Sequence, residues 1–314
     1  MENEPKLKLI SKVAQLYYLE NYMQKDIAKK LSISTVTTSR MLTKAKNLKL
    51  VEIKINRLKG TFQDLELEIE KKYNLKECVV VTSFEKIRNT FIEISKYMSE
   101  ILDRIVQPGN FIGVSWGHSL GIISEHLELK EKSNISVVPI IGSLGMIEEG
   151  INSNIIAKNL AEGFGGISYL INSPAVMENV QAKTIMENDQ NTRKIFEVSK
   201  KLDLAIVGAS DLGPESSLYK FLNYKKEDFD YLSKIGVIGV INLSSIDKEG
   251  NVIPNKVDAR TIAISFEKLK SVSNVILVAV GIRKKEVIKA ALKSGIVKIF
   301  MTDENTASSI FNEN

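Results

Sequence analysis

Apolar residues recur at helical spacing along the first 50 residues of the chain and in short continuous runs beyond residue 77. The spacing predicts a first helix over 7–17 and a second, short helix with Ile27, Ala28 and Leu31 on its apolar face. Residues 32–34 interrupt the pattern, and Ser34 is a good N-cap for a third helix over 35–48. The residues of the third helix expected to face inward are Val36, Met41, Leu42 and Ala45.

A short helix, a three-residue turn and a helix that begins with small polar residues are typical of a helix-turn-helix. Threonine methyls can contact thymine, hydroxyls and Arg40 can bond base edges, and flanking lysines suit phosphates. Thr38 is expected on the same polar side, and the alternation over 50–55 predicts a small wing strand. The candidate DNA-binding residues are Gln24, Lys25, Thr35, Val36, Thr37, Ser39, Arg40, Lys44 and Lys46. The alternative is an ordinary three-helix bundle that packs on the rest of the chain.

Beyond a boundary at 57–62, runs dense in valine and isoleucine alternate with amphipathic helices. Strands that are apolar on both faces favour a parallel sheet covered by helices on both sides. The sequence therefore predicts an α/β fold, a doubly wound parallel sheet over 59–314, joined to a small winged helix-turn-helix domain over 1–58. The predicted strands are 78–82, 110–114, 135–141, 166–171, 204–207, 236–243, 275–280 and 299–302.

One stretch, residues 111–120, combines an apolar run, two glycines interleaved with two hydroxyls, and the start of an apolar-periodic segment. This pattern predicts a buried strand, a tight loop and a helix. The first N–H groups of such a helix have no partner within it, and its dipole favours an anion there. We therefore expect residues 115–119 to form an anion cradle for a phosphate. The alternative is a plain strand-to-helix turn that binds nothing.

Further polar and glycine-rich loops are predicted at the carboxyl ends of the strands, where doubly wound sheets bind their ligands. The candidate ligand-binding residues are Ser115, Trp116, Gly117, His118, Ser119, Gly142, Ser143, Leu144, Gly145, Asp211, Asp247 and Lys284. Lys284 opens a predicted helix and could pair with a phosphate, although a plain surface lysine would fit the same pattern.

Charge is uneven along the 314-residue chain: residues 1–60 contain 13 lysines and arginines and 5 acidic residues, while the net charge of the whole is +5. A basic small domain joined to a mildly acidic large one suggests that only the small domain binds a polyanion.

Cys78 is the single cysteine, which excludes a disulfide framework and a zinc cluster, and a small core side chain is expected there. No apolar run is long enough for a membrane span and no signal peptide is recognisable, so we expect a reducing cytoplasm.

As a set, these motifs resemble the SorC family of bacterial sugar-binding transcriptional regulators, and the resemblance extends over essentially the whole chain. The matching segments are 24–28, 38–40, 112–117, Pro139 with 142–145, 160–161 with 165–166, 174–175, 203–208, Gly239 with Asp247 and Gly250, Lys284 with 290–292, and 302–304. The chain departs from common family members at Val280, where a glycine is frequent, and at Ser143, also commonly glycine.

The resemblance implies a winged helix-turn-helix joined to a Rossmann-like effector domain related to sugar-phosphate isomerases. It also implies homo-oligomers, dimers or tetramers, that bind operator DNA, often as repressors, and respond to a phosphorylated sugar, with no cofactor or metal. Residues 142–145 would then line the sugar, and Asp247 would hold its hydroxyls.

Two alternatives remain from the residues. A sugar-phosphate isomerase with a DNA-binding arm would need a positioned base, for which Asp211, Asp247 and His118 are candidates, but no paired constellation supports one. No lysine lies between 135 and 145, which argues against covalent capture of a carbonyl from that loop. A constitutive DNA-binding protein whose large domain serves only oligomerisation is the other alternative.

Overall fold

The computed structural model describes residues 4–54, 56, 61–143, 151–222 and 224–311. The chain divides into two compact units, Met1–Leu58 and Lys59–Asn314. Among the described helices, none combines the length and the apolar character needed to cross a membrane.

The first unit is a bundle of three helices: α1 (Glu4–Tyr18), α2 (Gln24–Lys30) and α3 (Thr35–Asn47). Ser34 caps α3, since its hydroxyl accepts a hydrogen bond from the Thr37 N–H at 3.0 Å. The helices meet around a small apolar core, because each places one stripe of aliphatic side chains toward the others. The buried side chains of this core include Ile10, Val13, Leu16, Ile27, Leu42 and Ala45.

Two expectations for α3 are wrong in detail. Val36 was expected to face inward but is 60% exposed, whereas Thr38 was expected on the polar side and is fully buried. The inward stripe follows Thr38, Leu42 and Ala45, at the i, i+4, i+7 spacing of one helix face. Burial of Thr38 is tolerated because its hydroxyl donates to the Ser34 carbonyl at 3.2 Å.

The expected wing strand is also not found: the described residues 51–54 and 56 have no regular secondary structure. Alternation of apolar and polar residues over 50–55 indicates a segment with one buried and one exposed side. Such a segment becomes a strand only where a neighbouring strand pairs with it.

The second unit contains one large sheet. Its strands are β1 (Glu77–Val81), β2 (Phe111–Val114), β3 (Ser136–Pro139), β4 (Ile167–Ser168), β5 (Leu204–Asp211), β6 (Gly239–Ile241), β7 (Ser244–Ile246), β8 (Asn274–Val278) and β9 (Ile299–Asp303). The main path of the sheet runs in the order β1-β9-β8-β5-β2-β3-β4, and every neighbouring pair along it is parallel. The predicted doubly wound α/β fold is confirmed.

Helices cover both faces of this sheet, as valine- and isoleucine-rich parallel strands require. The helices of this unit are α4 (Gln63–Tyr73), α5 (Ile87–Ile105), α6 (His118–Glu125), α7 (Ser153–Phe164), α8 (Val180–Asn188), α9 (Gln190–Ser199), α10 (Ser217–Phe221), α11 (Lys226–Lys234), α12 (Phe266–Lys270), α13 (Lys285–Lys293) and α14 (Glu304–Phe311). One apolar core contains α5, α6 and α7, and the other contains α4, α9, α12, α13 and α14.

The segment 236–243, expected to be one more parallel strand, instead begins a hairpin. β6 pairs antiparallel with the carboxyl-terminal part of β5, and β7 pairs antiparallel with β6. The two residues between them, Asn242 and Leu243, have φ angles of 48° and 61°, as in the type I′ turn that closes tight hairpins.

The edge strand β1 is protected by two carboxylates of α4. Glu70 and Glu66 accept hydrogen bonds from the N–H groups of Cys78 and Val80, both at 2.8 Å. The two glutamates are one helical turn apart, which matches the distance between alternate N–H groups on the edge of the strand. The carboxylates of α4 therefore bind donors that would otherwise be available for pairing with a strand of another chain. Burial raises the pKa of the Glu66 carboxyl, against the lowering by its backbone hydrogen bond.

Replacing Glu66 with alanine should therefore destabilise the fold by about 1–3 kcal/mol, because the N–H group of the buried Val80 loses its acceptor. Glu66→Gln should be much closer to wild type, since its amide oxygen still accepts that bond and no charge is desolvated. Glu68→Ala, an exposed change on the same helix, is the control. Urea unfolding monitored by circular dichroism measures all three, and equal losses in Glu66→Ala and Glu68→Ala would contradict the edge-capping role.

Candidate functional site

A cleft lies beyond the carboxyl ends of β2, β5 and β8, where ligands bind in sheets of this kind. The residues that line it come from the loop after β2, the end of β5, the start of α10, the β6–β7 turn and the turn after β8. They are Ser115, Trp116, Gly117, His118, Ser119, Leu120, Gly208, Ala209, Ser210, Ser217, Leu218, Val240, Asn242, Leu243, Val278 and Lys284. The structure thus brings the expected cradle and Lys284 together in one cleft.

The cradle is an open helix start. Gly117 precedes α6 with φ 130°, a conformation that side chains rarely adopt, and its own N–H donates to the Ile151 carbonyl at 3.1 Å. Among the described residues, the N–H groups of His118, Ser119 and Leu120 have no protein acceptor. A Cβ on Gly117 would meet no atom within 4 Å, so the space beside this residue is open. These are the donors and the room that an anion needs.

Lys284 adds a positive charge to the same cleft. It ends the 3₁₀ turn Ile282–Lys284 that follows β8, and it is half-buried. Burial lowers the pKa of its ammonium group, while Asp211 acts in the opposite direction. Within the described part of the chain, the ammonium group makes no hydrogen bond or ion pair. A partly desolvated ammonium group without a partner is well suited to pair with an anionic ligand.

Ser115 is held differently from the rest of the cradle. It is buried, and its hydroxyl donates to the side-chain oxygen of Asn242 at 3.0 Å. Trp116 is also buried and packs in an apolar cluster with Ile151, Leu218 and other residues beneath the cleft. Trp116 therefore supports the cradle mainly by packing, and Ser119 is the cradle hydroxyl without a protein partner among the described residues.

Asp211 lies beside the cleft but is occupied by neighbours. Its carboxylate pairs with the Arg283 guanidinium at 3.1 Å and accepts a hydrogen bond from the Gly213 N–H at 2.8 Å. It does not line the cleft, and its influence there is electrostatic, through Lys284.

Asp247, expected to hold the hydroxyls of the sugar, lies in a loop of its own. Its carboxylate closes its own loop, accepting hydrogen bonds from the backbone N–H groups of Glu249 and Asn251 at 2.9 Å. Desolvation raises the pKa of this carboxyl, but the several hydrogen bonds within the loop together outweigh it, so the pKa is lowered. The loop that Asp247 begins lies against the carboxyl-terminal end of α13: Glu249 pairs with Lys293 at 3.0 Å, and a Cβ on Gly250 would clash with a carbonyl oxygen of that helix. Asp247 does not line the cleft.

Gly142 and Ser143 do not line the cleft either. The Gly142 N–H donates to the Ile262 carbonyl at 2.7 Å, and Ser143 exchanges backbone hydrogen bonds with Ser173 and Ala175. A Cβ on Gly142 would lie 2.5 Å from the Pro174 carbonyl, so this glycine permits a close approach of two backbones. Leu144 and Gly145 lie outside the described residues.

On α3, the candidate DNA-binding residues Thr35, Val36, Ser39 and Arg40 are exposed. Thr37 is half-buried, and its hydroxyl is hydrogen-bonded to the Ser34 hydroxyl at 2.8 Å, so it is engaged within the cap. The candidates on α2 and in the later part of α3 also differ in exposure: Lys25 and Lys46 are exposed, whereas Gln24 and Lys44 are half-buried.

Several residues that line the cleft were not predicted as site residues. Gly208 and Ser210 belong to β5, which runs beyond the predicted 204–207; Ser217 begins α10; Asn242 and Leu243 form the hairpin turn. The stretch 208–211 was expected among the polar loops at the carboxyl strand ends, but only Asp211 of it was taken as a candidate ligand-binding residue. The turn residues carried no comparable signal, because Ile-Asn-Leu-Ser lacks the Asn-Gly or Asp-Gly pair typical of such turns.

Comparison with known proteins agrees with both units. The family described as "Putative sugar-binding domain" matches residues 58–312. The chain is 30% identical over 312 residues to the deoxyribonucleoside regulator of Bacillus subtilis (strain 168), with 98% of each chain covered. It is 29% identical over 310 residues to the sorbitol operon regulator of Klebsiella pneumoniae, again with 98% of each covered.

The crystal structure of the full-length sorbitol operon regulator SorC from Klebsiella pneumoniae superposes with a TM-score of 0.76 at 28% identity, covering 99% of this chain and 100% of that one. These relatives are named as regulators and not as enzymes, so the isomerase alternative is not supported. The chain belongs to the SorC family of sugar-binding transcriptional regulators and acts in the control of transcription.

Proposed function

We propose that this regulator binds operator DNA through the unit 1–58, as a repressor, and that a phosphorylated sugar in the cleft of the second unit controls that binding. The observation that carries the proposal is the open start of α6. Three N–H groups without a protein acceptor face the same cleft as the unpaired Lys284 ammonium, within the described residues.

A phosphate fits this arrangement better than a neutral ligand. Backbone N–H groups at a helix start supply preorganised donors, the helix dipole adds partial positive charge, and Lys284 adds a full charge in a half-buried setting. Ser119 and His118 line the same end of the cleft and can add side-chain contacts.

The sugar part of the ligand would lie against hydroxyl groups on the other side of the cleft, namely those of Ser210 and Ser217. This differs from the expected contacts with 142–145 and Asp247. Two relatives are named for the control of deoxyribonucleoside and sorbitol genes, and both names point to polyhydroxylated compounds. A hydroxyl-lined pocket next to an anion cradle suits the phosphate esters of such compounds.

Operator binding would use the exposed start of α3, with Arg40 and Ser39 at base edges and Lys25 and Lys46 at phosphates. The threonine and valine methyls at 35 and 36 would contact thymine methyls. One helix-turn-helix offers too little surface for specific binding, so we propose a homo-oligomer, a dimer or tetramer, with half-sites about one helical turn apart or multiples of it. Such a protein would act in the cytoplasm.

Gly117→Val should abolish stabilisation by the effector, because a branched side chain would enter the open space beside the cradle and strain a backbone with φ 130°. Gly109→Val is the matched control, since Gly109 also has a positive φ and open space around it but lies in a distant turn. Thermal unfolding with a panel of deoxyribose, sorbitol and erythritol phosphates measures the effect. A ligand at 100 times its dissociation constant adds about 2.7 kcal/mol to the wild type. An equal ligand-induced shift in Gly117→Val would mean that the cradle is only a turn.

Lys284→Met should weaken phosphate-ester binding and remove part of its pH dependence. The lowered pKa of Lys284 means that the ammonium group loses its charge at a lower pH than an ordinary lysine, so wild-type affinity should fall as pH rises through that pKa. Lys285→Met, a change of the neighbouring lysine that does not line the cleft, should keep the wild-type profile. Isothermal titration with the best phosphate of the panel across pH 7–10 gives the profiles, and identical curves for Lys284→Met and wild type would exclude this role.

Arg40→Ala should cost about 1–3 kcal/mol of operator affinity and relax specificity at one base position. Lys25→Ala should instead weaken specific and random DNA alike and lower the salt slope by about one. Fluorescence anisotropy with operator and scrambled duplexes at several salt concentrations separates the two. If both variants lose the same affinity on both duplexes, the assignment of base and phosphate contacts is wrong.

A further inference from the structure

The turn between β6 and β7 contains Asn242, whose side chain forms hydrogen bonds to three other segments beside the cleft. Asn242 is 3% exposed, lines the cleft and adopts the left-handed conformation with φ 48°. Asparagine tolerates this conformation better than most residues, and in an exposed turn this backbone preference alone would explain its presence. Here the amide is buried, and a buried amide must be matched by hydrogen-bond partners.

The partners of the Asn242 amide come from three different segments. Its oxygen accepts the Ser115 hydroxyl at 3.0 Å, and its nitrogen donates to the carbonyls of Ile140 at 3.5 Å and Ile264 at 3.4 Å. The two carbonyls fix the orientation of the amide, because only the nitrogen can donate to them. The oxygen is therefore the atom that faces Ser115.

This orientation determines what Ser115 can offer a ligand. A hydroxyl has one hydrogen to donate, and that of Ser115 is committed to Asn242. The lone pairs that remain can accept a hydrogen bond but cannot contribute a donor to a phosphate, which itself only accepts. The start of α6 and Lys284 thus form the donating end of the cleft, and Ser115 forms an accepting position beside it.

We propose that Asn242 is a positioning residue for effector selectivity: by holding the Ser115 hydroxyl as an acceptor, it directs a ligand hydroxyl toward Ser115 and the phosphate toward α6. This proposal rests on the proposed function and adds to it the contact by which the protein would distinguish a sugar phosphate from inorganic phosphate. Asn242 lines the cleft, but in this scheme it acts on the ligand through the Ser115 hydroxyl that it orients.

The test measures a ratio of affinities in the full chain: that for the best sugar phosphate of the panel divided by that for inorganic phosphate, both from isothermal titration. Asn242→Gly keeps a residue that accepts the left-handed backbone but removes the amide. The ratio should fall about 5- to 10-fold, which is the loss of affinity expected when one neutral hydrogen bond to the ligand is removed. Asn134→Gly is the control, since Asn134 is an exposed left-handed asparagine in a remote turn, and its ratio should stay at the wild-type value.

Ser115→Ala should lower the same ratio by a similar factor, and it serves as the second variant if Asn242→Gly does not fold. Adding Asn242→Gly to Ser115→Ala should then change the ratio no further, because the two residues act as one unit. Independent, additive effects would overturn the proposal, as would an unchanged ratio in the single variants. A wild-type chain that binds inorganic phosphate but none of the sugar phosphates would instead contradict the proposed function itself.

Discussion

The start of α6 is the constraint around which the second unit is organised. A helix that begins at a glycine has no capping side chain, so its first N–H groups stay unsatisfied unless a ligand or water meets them. The surrounding elements leave these groups facing a cleft: β2 delivers the loop, Ile151 anchors the Gly117 N–H, and the turn after β8 brings Lys284. Burial of the strands on both faces then fixes the positions of these loops.

The sheet is protected against pairing at β1, where α4 satisfies two backbone donors with its glutamates. α4 is also the first helix after residues 57–62, so the element that follows the DNA-binding unit along the chain is fixed to the sheet by hydrogen bonds as well as by apolar packing through Ile69. A regulator needs its effector domain to respond as a unit, and firmly attached outer helices favour this.

Much of the fold could be predicted from the sequence because its signals are local. The parallel strands are apolar on both faces, and Ser34 and Gly117 are the residues directly before the starts of α3 and α6. The cradle was predictable for the same reason: its residues are consecutive, so no knowledge of the topology was needed to place them together.

The rest depended on the course of the chain. Asp247 was placed at the site because it follows a predicted strand, but its loop lies against the carboxyl-terminal end of α13, where Glu249 pairs with Lys293. Asn242 was missed because its three partners lie 22, 102 and 127 residues away in the sequence. Thr38 and Val36 were exchanged because a buried threonine with a local carbonyl partner can replace an aliphatic residue on the inner face.

Binding of the effector's phosphate by the open N–H groups of α6 can be observed through amide chemical shifts in ¹⁵N-labelled, deuterated full-length protein titrated with the best sugar phosphate of the panel. We expect the amides of His118, Ser119 and Leu120 to shift most strongly and to saturate together with the binding isotherm. Saturating binding that leaves these three amides unmoved, with the largest shifts elsewhere in the chain, would contradict this expectation.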